Sequence, residues 1–432
     1  MNTPVWDYIQ NYVNQNPVRL HMPGHKGQGQ LEQLDLTEVE GADVLYHAAG
    51  ILQESMENAA AIFGSGKTVY SAEGASLCIR AMVYLLKLYS KKAVIAAARN
   101  AHSTFVTAAA LLNVEVQWLY GENLLSCTIT PEALDGYLQE HPVTAVYLTS
   151  PDYLGNVADI EALSMVCHRH GVLLAVDNAH GAYLKFFGRH PLELGADICC
   201  DSAHKTLPVL TGGAYLHIGK NAPAVFFDQA EKAMSLFAST SPSYLILGSL
   251  DRANRYMAEE FENALQHFVP YVDALKQKLT QKGYALIGDE PIKITIAPKS
   301  YGYTGVQLAA ILQEKGMVCE FADPDYLVLM VTPKNREEDL EKLEQVLLDL
   351  SPKEPIAQTA PAMHKAQKSM RMHEALMSPA VTLPVQQCLG RVLAAPTVSC
   401  PPAVPILVCG EIVDEQTLAQ FSYYGITHLN VI

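Results

Sequence analysis

Apolar and polar positions along this chain follow two periods in turn. Short apolar, β-branched runs at 68–70, 93–98, 114–119, 143–149 and 172–176 have the length and composition of strands. Between them, apolar residues recur every three to four positions and predict helices over 52–63, 77–89, 104–112 and 160–170, with another beginning at Thr130-Pro131. Ahead of these, Thr3-Pro4 opens a short amphipathic helix to about Asn14, a capping residue followed by proline in the first turn. A strand-helix rhythm of this kind predicts an α/β fold, a mostly parallel sheet with helices on both faces and a ligand above the strand ends.

Two more apolar runs, 198–200 and 214–218, flank the polar stretch Asp201-Ser202-Ala203-His204-Lys205-Thr206 and predict two strands joined by a loop. Beyond it the pattern turns helical, with a cap at Ser239 to Tyr244 and a long helical stretch to about Lys282, broken near Pro270. Short strands at 292–296, 318–321 and 326–331 and helices at 305–314 and 336–350 then predict a smaller α/β domain. Residues 351–379, rich in Pro, Ala and Met, read as a linker with some helix, and 404–408 and 427–432 as strands. The expected division is an N-terminal helix and loop arm (1–50), a large domain (51–282) and a small C-terminal domain (283–432). A chain of 432 residues exceeds the size at which one core usually stops growing.

Composition narrows the function classes. The formal net charge of -15 and pI of about 5.4 argue against nucleic acid or an anionic membrane as partner, since both need a basic face. The same acidity suits a small cationic substrate. Nine cysteines, an odd number without a C-x-x-C pair, read as reduced, buried thiols, and no metal is expected. No apolar run reaches the roughly 18 residues needed to span a bilayer, and the first residues lack the regions of a signal peptide, so a cytoplasmic location is expected.

The candidate chemistry centres on Lys205. Burying a lysine among small polar residues is costly unless it is paired or neutralised, and a lysine held near neutrality can form a Schiff base with an aldehyde such as pyridoxal phosphate (PLP). Alone, Lys205 reads as a solvated surface group, as most lysines are. Upstream, the apolar run Val-Leu-Leu-Ala-Val ends abruptly in Asp177, which could keep a pyridine nitrogen protonated or simply cap the next turn. The turn Gly74-Ala75-Ser76, between a strand and a helix, leaves amides free to hold a phosphate. His102 lies on a later turn, where capping is the plainer role, and the basic loop Arg19 to Gly27 reads by itself as a solvated connection. No G-x-G-x-x-G follows the first strand, which disfavours a nicotinamide enzyme.

Five segments together carry a resemblance: His21-Met-Pro-Gly-His-Lys26, Arg99-Asn-Ala-His-Ser103, Val176-Asp-Asn-Ala-His-Gly-Ala182, Ser202-Ala-His-Lys-Thr206 and Thr240-Ser-Pro-Ser-Tyr244. They resemble the signature segments of the ornithine/lysine/arginine decarboxylase family of fold type I PLP enzymes, and Pro401-Pro-Ala-Val-Pro405 and Gly410-Glu411 resemble its C-terminal segment. The resemblance runs essentially end to end, in the short form without an N-terminal wing domain. It implies decarboxylation of a basic amino acid to the corresponding amine, with Lys205 as the Schiff-base lysine and Asp177 on the ring nitrogen. His102 would stack on the ring; Ala75, Ser76, Ser202 and His204 would hold the phosphate; Ala179 and His180 would lie against the ring or its 3-hydroxyl. It also implies a homodimer in which His25, Lys26, Thr240 and Ser241 approach the neighbouring chain's cofactor. Asn178 stands where the family commonly has Glu, and Asp201 where it often has Gln. Ala75 removes a hydroxyl from the phosphate turn, Leu210-Thr-Gly-Gly replaces a frequent Thr-Gln, and Ala403-Val404 a usual Gly-Ile. Other fold type I reactions, those of an aminotransferase or a lyase, share the same lysine and aspartate, and a non-catalytic binding protein is the remaining alternative.

Overall fold

The computed structural model describes residues 1–121, 128–400 and 404–432, so Cys127 and the Pro401 to Ala403 part of the late segment lie outside the described residues. A seven-stranded sheet carries β1 (Lys67–Ser71), β2 (Val94–Ala98), β3 (Glu115–Leu119), β4 (Ala145–Thr149), β5 (Leu173–Asp177), β6 (Ile198–Asp201) and β7 (Ala214–Ile218). Its order is β1-β7-β6-β5-β4-β2-β3. The pairs β2–β3 and β5–β6 are parallel, as the strand-helix rhythm requires, whereas β7 runs antiparallel to both β6 and β1. The segment joining β6 to β7 holds one helical turn, and the chain returns antiparallel.

The helices of this region are α1 (Pro4–Gln15), α2 (Ile51–Phe63), α3 (Ala75–Tyr89), α4 (Ser103–Leu111), α5 (Pro131–Glu140), α6 (Ile160–Arg169), α7 (Ala203–Thr206), α8 (Ala224–Ser235), α9 (Tyr244–Tyr256) and α10 (Glu262–Lys282). The long helical stretch breaks at a π-helical turn, Met257–Phe261, and not at Pro270, which sits inside α10. An extra residue per turn shifts the hydrogen-bond ladder more than one missing N–H does. Helix α8 had no counterpart in the sequence pattern. Thr3 does not cap α1 with its side chain; its hydroxyl donates instead to Asp7 Oδ1 at 2.9 Å.

Packing divides the chain into two compact units. The first comprises residues 1–93, 135–147 and 160–264. Its core includes Cys78, Met82 and Leu85 of α3, at the four- and three-residue spacing that puts them on one helix face, together with Ile198, Leu216 and Ile218 of the sheet, all fully buried. Within it, Asp251 of α9 accepts from Ser55 Oγ of α2 at 2.5 Å and from the backbone N–H of Trp6 in α1 at 3.0 Å, which docks the first helix.

The second unit comprises residues 94–134, 148–159 and 265–432. It holds a four-stranded sheet built from β8 (Ala285–Ile287), β9 (Lys293–Ala297), β10 (Phe321–Ala322) and β11 (Leu327–Met330), in the order β10-β11-β9-β8. Helices α11 (Gly305–Glu314), α12 (Glu337–Asp349) and α13 (Met372–Leu376) follow, then β12 (Val381–Pro384), β13 (Thr397–Cys400), β14 (Val404–Val408), α14 (Glu415–Tyr423) and β15 (His428–Val431). Leu393, Ile406, Leu407, Val413, Phe421 and Val431 pack as one apolar cluster. Beside it lies a buried cation. Arg99, with no exposed surface, holds Glu411 in a bidentate pair at 2.8 and 2.7 Å and donates to the carbonyls of Pro405 and Ile406 at 3.1 and 3.2 Å. Two of the segments that carry the resemblance are thus joined by structure.

Among the described residues no helix is long and apolar enough to cross a membrane. Cys78, Cys167, Cys199, Cys200, Cys388 and Cys409 are buried free thiols and Cys319 is half-buried.

Glu411→Ala leaves the Arg99 guanidinium buried and uncompensated, and is expected to cost about 3–5 kcal/mol, read as a lower urea midpoint at an unchanged slope. A second expectation concerns pH. Burial raises the Asp251 carboxyl to about 6, against the opposing hydrogen bond from Ser55. A carboxyl raised in the folded state binds its proton more tightly there than in the unfolded chain, so its contribution to stability is present at low pH and is lost as pH rises from about 4 to about 6. Relative to Asp251→Asn, the wild-type chain should therefore lose roughly 2–3 kcal/mol of unfolding free energy across that window in denaturant titrations.

Candidate active site

Strand β6 ends in Asp201, and Ser202 starts α7, so the expected loop is a single helical turn. Lys205 N donates to Ser202 O at 3.0 Å and Leu207 N to Ala203 O at 2.9 Å. The turn leaves Lys205 half-buried, with Nζ 3.0 Å from His180 Nε2. His180 is only 5% exposed, so the amine rests against a buried imidazole. In that contact the ring either accepts from an ammonium or donates to a neutral amine, which makes it a place where a proton can be passed.

Asp177, the last residue of β5, is 2% exposed. Its Oδ1 accepts from Ala179 N at 3.1 Å and lies 3.7 Å from Cys200 Sγ, and its Oδ2 accepts from the Tyr147 hydroxyl at 3.3 Å. Burial, followed by the charge of Asp177, pushes the Tyr147 hydroxyl well up, so it remains a donor. Among the described residues no lysine, arginine or histidine nitrogen lies within ion-pair distance of Asp177. A carboxylate withdrawn from water without a cation is costly, and a protonated ring nitrogen would supply both the missing charge and a further donor. The short run from Asp177 to His180 connects this carboxylate to the Lys205 amine.

The turn ahead of α3 is built for close approach. Gly74 has φ +74° and donates from its N–H to Gly212 O at 2.6 Å, which stitches the start of α3 to the segment that follows Lys205. Gly212 itself has φ +101°, and a Cβ there would lie 2.8 Å from Ala72 O, so both the backbone conformation and the space require glycine. Ala75, buried, offers only its backbone amide, and Ser76 follows half-buried in the first turn of a 15-residue helix whose dipole favours an anion. Across the stitch, His204 Nδ1 lies 3.2 Å from Gly213 O and 3.4 Å from Ser202 Oγ. Burial lowers the His204 pKa, and a dianion bound at this turn would draw the ring back towards protonation. Ala75, Ser76, Ser202 and His204 are thus linked through Gly74 and Gly212 to the turn that carries Lys205.

The two arm segments also come together. Met22, Pro23 and Gly24 of the loop that carries His25 and Lys26, and Ser241 next to Thr240, line one cleft of about 350 Å³. His25 Nε2 is 3.2 Å from Asp35 Oδ2, Lys26 donates to His21 O at 2.6 Å, and Ser239 N donates to the carboxylate of Glu73, beside the phosphate turn, at 2.6 Å. His102 lies in the other unit, where its ring Nδ1 caps α4 by accepting from Thr104 N at 3.2 Å.

Sequence reasoning passed over Tyr147, His190 and His217. The latter two flank Asp201, with Nε2 atoms 3.0 and 3.3 Å from its Oδ2. Donor atoms of His190, Cys199 and Asp201 fall within 4.8 Å of one another, yet the oxygens of Asp201 already take hydrogen bonds from protein groups, so the cluster is satisfied without a metal. Histidines separated by strands and loops leave no spacing signal that could reveal such a group.

A family model described as "Orn/Lys/Arg decarboxylase, major domain" matches residues 3–287. The chain is 27% identical to the arginine decarboxylase of Bacillus subtilis (strain 168), over 96% of its own length and 92% of that protein's. Its fold matches the lysine decarboxylase LdcF of Francisella novicida with a TM-score of 0.80 at 15% identity, covering all of this chain and 81% of the other. It matches the constitutive lysine decarboxylase of E. coli with a TM-score of 0.78 at 17% identity, covering all of this chain and 82% of the other.

Proposed function

The chain belongs to the ornithine/lysine/arginine decarboxylase family, and from that premise we propose that it releases carbon dioxide from arginine, lysine or ornithine with PLP as its cofactor. The observation that carries the reading is the buried Asp177 carboxylate, which among the described residues has neutral hydrogen-bond partners and is joined through the run to His180 to the Lys205 amine. These residues fit the cofactor at both ends of its ring, and the turn at Gly74 fits its phosphate.

When bound, PLP supplies an electron-accepting ring that takes up the charge left as a bond to the substrate α-carbon breaks. Asp177 would face the ring nitrogen and favour its protonated form. Lys205 would hold the aldehyde end of the cofactor, and His180, 3.0 Å from its Nζ, would hold or return a proton there. The start of α3, with Ser202 and His204, fixes the phosphate. Residues placed at both ends of the cofactor would limit its freedom to turn and so help to orient the substrate bound to it. Ala179, buried beside Asp177, leaves room for a flat ring. The acidic chain suits a substrate with a distal cation.

The reading includes a homodimer. Val18, Leu20, Met22 and Leu31 are 85, 90, 68 and 68% exposed in the arm that contains His25 and Lys26, and large apolar groups displayed this way are suited to be covered by a second copy.

Purified wild-type protein is expected to be yellow and to release labelled carbon dioxide from at least one of the three amino acids. Lys205→Ala should be colourless and lower turnover by at least roughly a thousandfold. Carbon dioxide release from none of the three, with amine transfer to an added keto acid, would replace this reading by an aminotransferase.

A further inference from the structure

Two buried polar side chains lie close in sequence to Asp177 and Lys205. Asn178 follows Asp177, and Asp201 precedes Ser202 at the start of the lysine turn. Both have no exposed surface, and Asn178 Nδ2 donates to Asp201 Oδ1 at 2.6 Å. Asn178 N also donates to Cys200 O at 3.0 Å, so backbone and side chain tie the same two strand ends together.

Asp201 is anchored in turn. Its Oδ2 meets His190 Nε2 at 3.0 Å and lies 3.3 Å from His217 Nε2; His217 Nδ1 lies 2.8 Å from Thr68 Oγ1, itself 2.8 Å from Ser65 Oγ. Phe63 closes the group, its ring centroid 5.2 and 4.5 Å from those of the two imidazoles. Burial alone would raise the Asp201 carboxyl, but the charge and hydrogen bond of His190 and the hydrogen bond and charge of His217 outweigh it and hold the group ionised. The anchored carboxylate is therefore a fixed acceptor for Asn178.

The sheet register shows which face this occupies. Asp177 pairs with Cys200 across β5 and β6, which puts those two side chains on one face. Asn178 and Asp201 are each the next residue, and alternation along a strand turns them to the opposite face. The pair therefore acts from behind the sheet and has no direct access to a ligand.

We infer that Asn178 and Asp201 form a positioning clamp that ties the end of β5, which presents Asp177, to the turn that presents Lys205, and so sets the span available to the cofactor ring. The inference rests on the function proposed above. It assigns Asp201 and Asn178 as positioning residues acting through Asp177 and Lys205.

The test uses holoprotein and apoprotein of three forms: wild type, Asn178→Ala, which removes the donor, and Asp201→Asn, whose amide oxygen still accepts from Asn178. Visible-region circular dichroism of the bound cofactor reports how firmly the ring is oriented, and titration of apoprotein with PLP reports affinity. Asn178→Ala is expected to weaken PLP binding about tenfold and to flatten the dichroic band, as removal of a buried charge-assisted hydrogen bond would. Asp201→Asn should keep the band and stay within about threefold of wild-type affinity, since the clamp survives loss of the charge. A wild-type band in Asn178→Ala would overturn the inference. So would an Asp201→Asn form as impaired as Asn178→Ala at a wild-type melting temperature, because the charge and not the bond would then be responsible. A wild-type protein that takes up no PLP would instead refute the proposed function.

Discussion

A carboxylate buried at the end of a strand, with no cation at ion-pair distance among the described residues, is the constraint on which this site turns. Withdrawing Asp177 from water carries a desolvation cost that Ala179 N, Tyr147 and Cys200 offset only in part, because all three are neutral. A protein retains such a group where a ligand completes it. The same logic explains the company of Lys205, whose amine has a buried imidazole for a neighbour.

The face of the sheet opposite Asp177 supplies the rigidity this requires. Tyr70 and Tyr215 lie on it beside Thr68 and His217, paired by the β1–β7 register. Tyr70 shares hydrogen bonds with Ser55 and Asn254, and Ser55 donates to Asp251, which holds the first helix. A polar layer thus runs within the first unit from the clamp behind the site to the docking point of α1. Polar groups buried in this number are tolerated because nearly all are partnered, and networks of that kind specify one arrangement more sharply than interchangeable apolar contacts do. Gly212 plays the complementary part beside Lys205, where a single Cβ would push the turn ahead of α3 and the lysine turn apart.

Much of this was legible in the chain. The alternation of strand and helix periods located β2 to β6 and α2 to α6 within a residue or two, because each is a local pattern whose apolar positions face one core. Fold type and family were legible too, since the segments around Lys205 and Asp177 are contiguous. What escaped had non-local causes. The π turn at Met257–Phe261 leaves no breaker residue, whereas Pro270 announces a break that neighbouring helical bonds override. Arg99 read as part of a polar turn, and only the return of the chain at Glu411 shows it as a buried ion pair. His190 and His217 acquire meaning through Asp201, which lies on another strand from His217 and beyond a loop from His190.

Asn178 and Asp201 were visible separately as departures from the residues the resembling family commonly carries, Glu and Gln. In space they are one feature, since their side chains are bonded at 2.6 Å. An acid after the ring-nitrogen aspartate and an amide before the lysine turn has become an amide in the first place and an acid in the second. One donor and one acceptor remain, with their sides exchanged. In this chain no second carboxylate follows Asp177, and the carboxylate of Asp201 stands where the Nε2 atoms of His190 and His217 lie 3.0 and 3.3 Å from it, while the bond between the strand ends is kept. The two residues are therefore one bonded pair at the strand ends, which neither shows when read alone in the sequence.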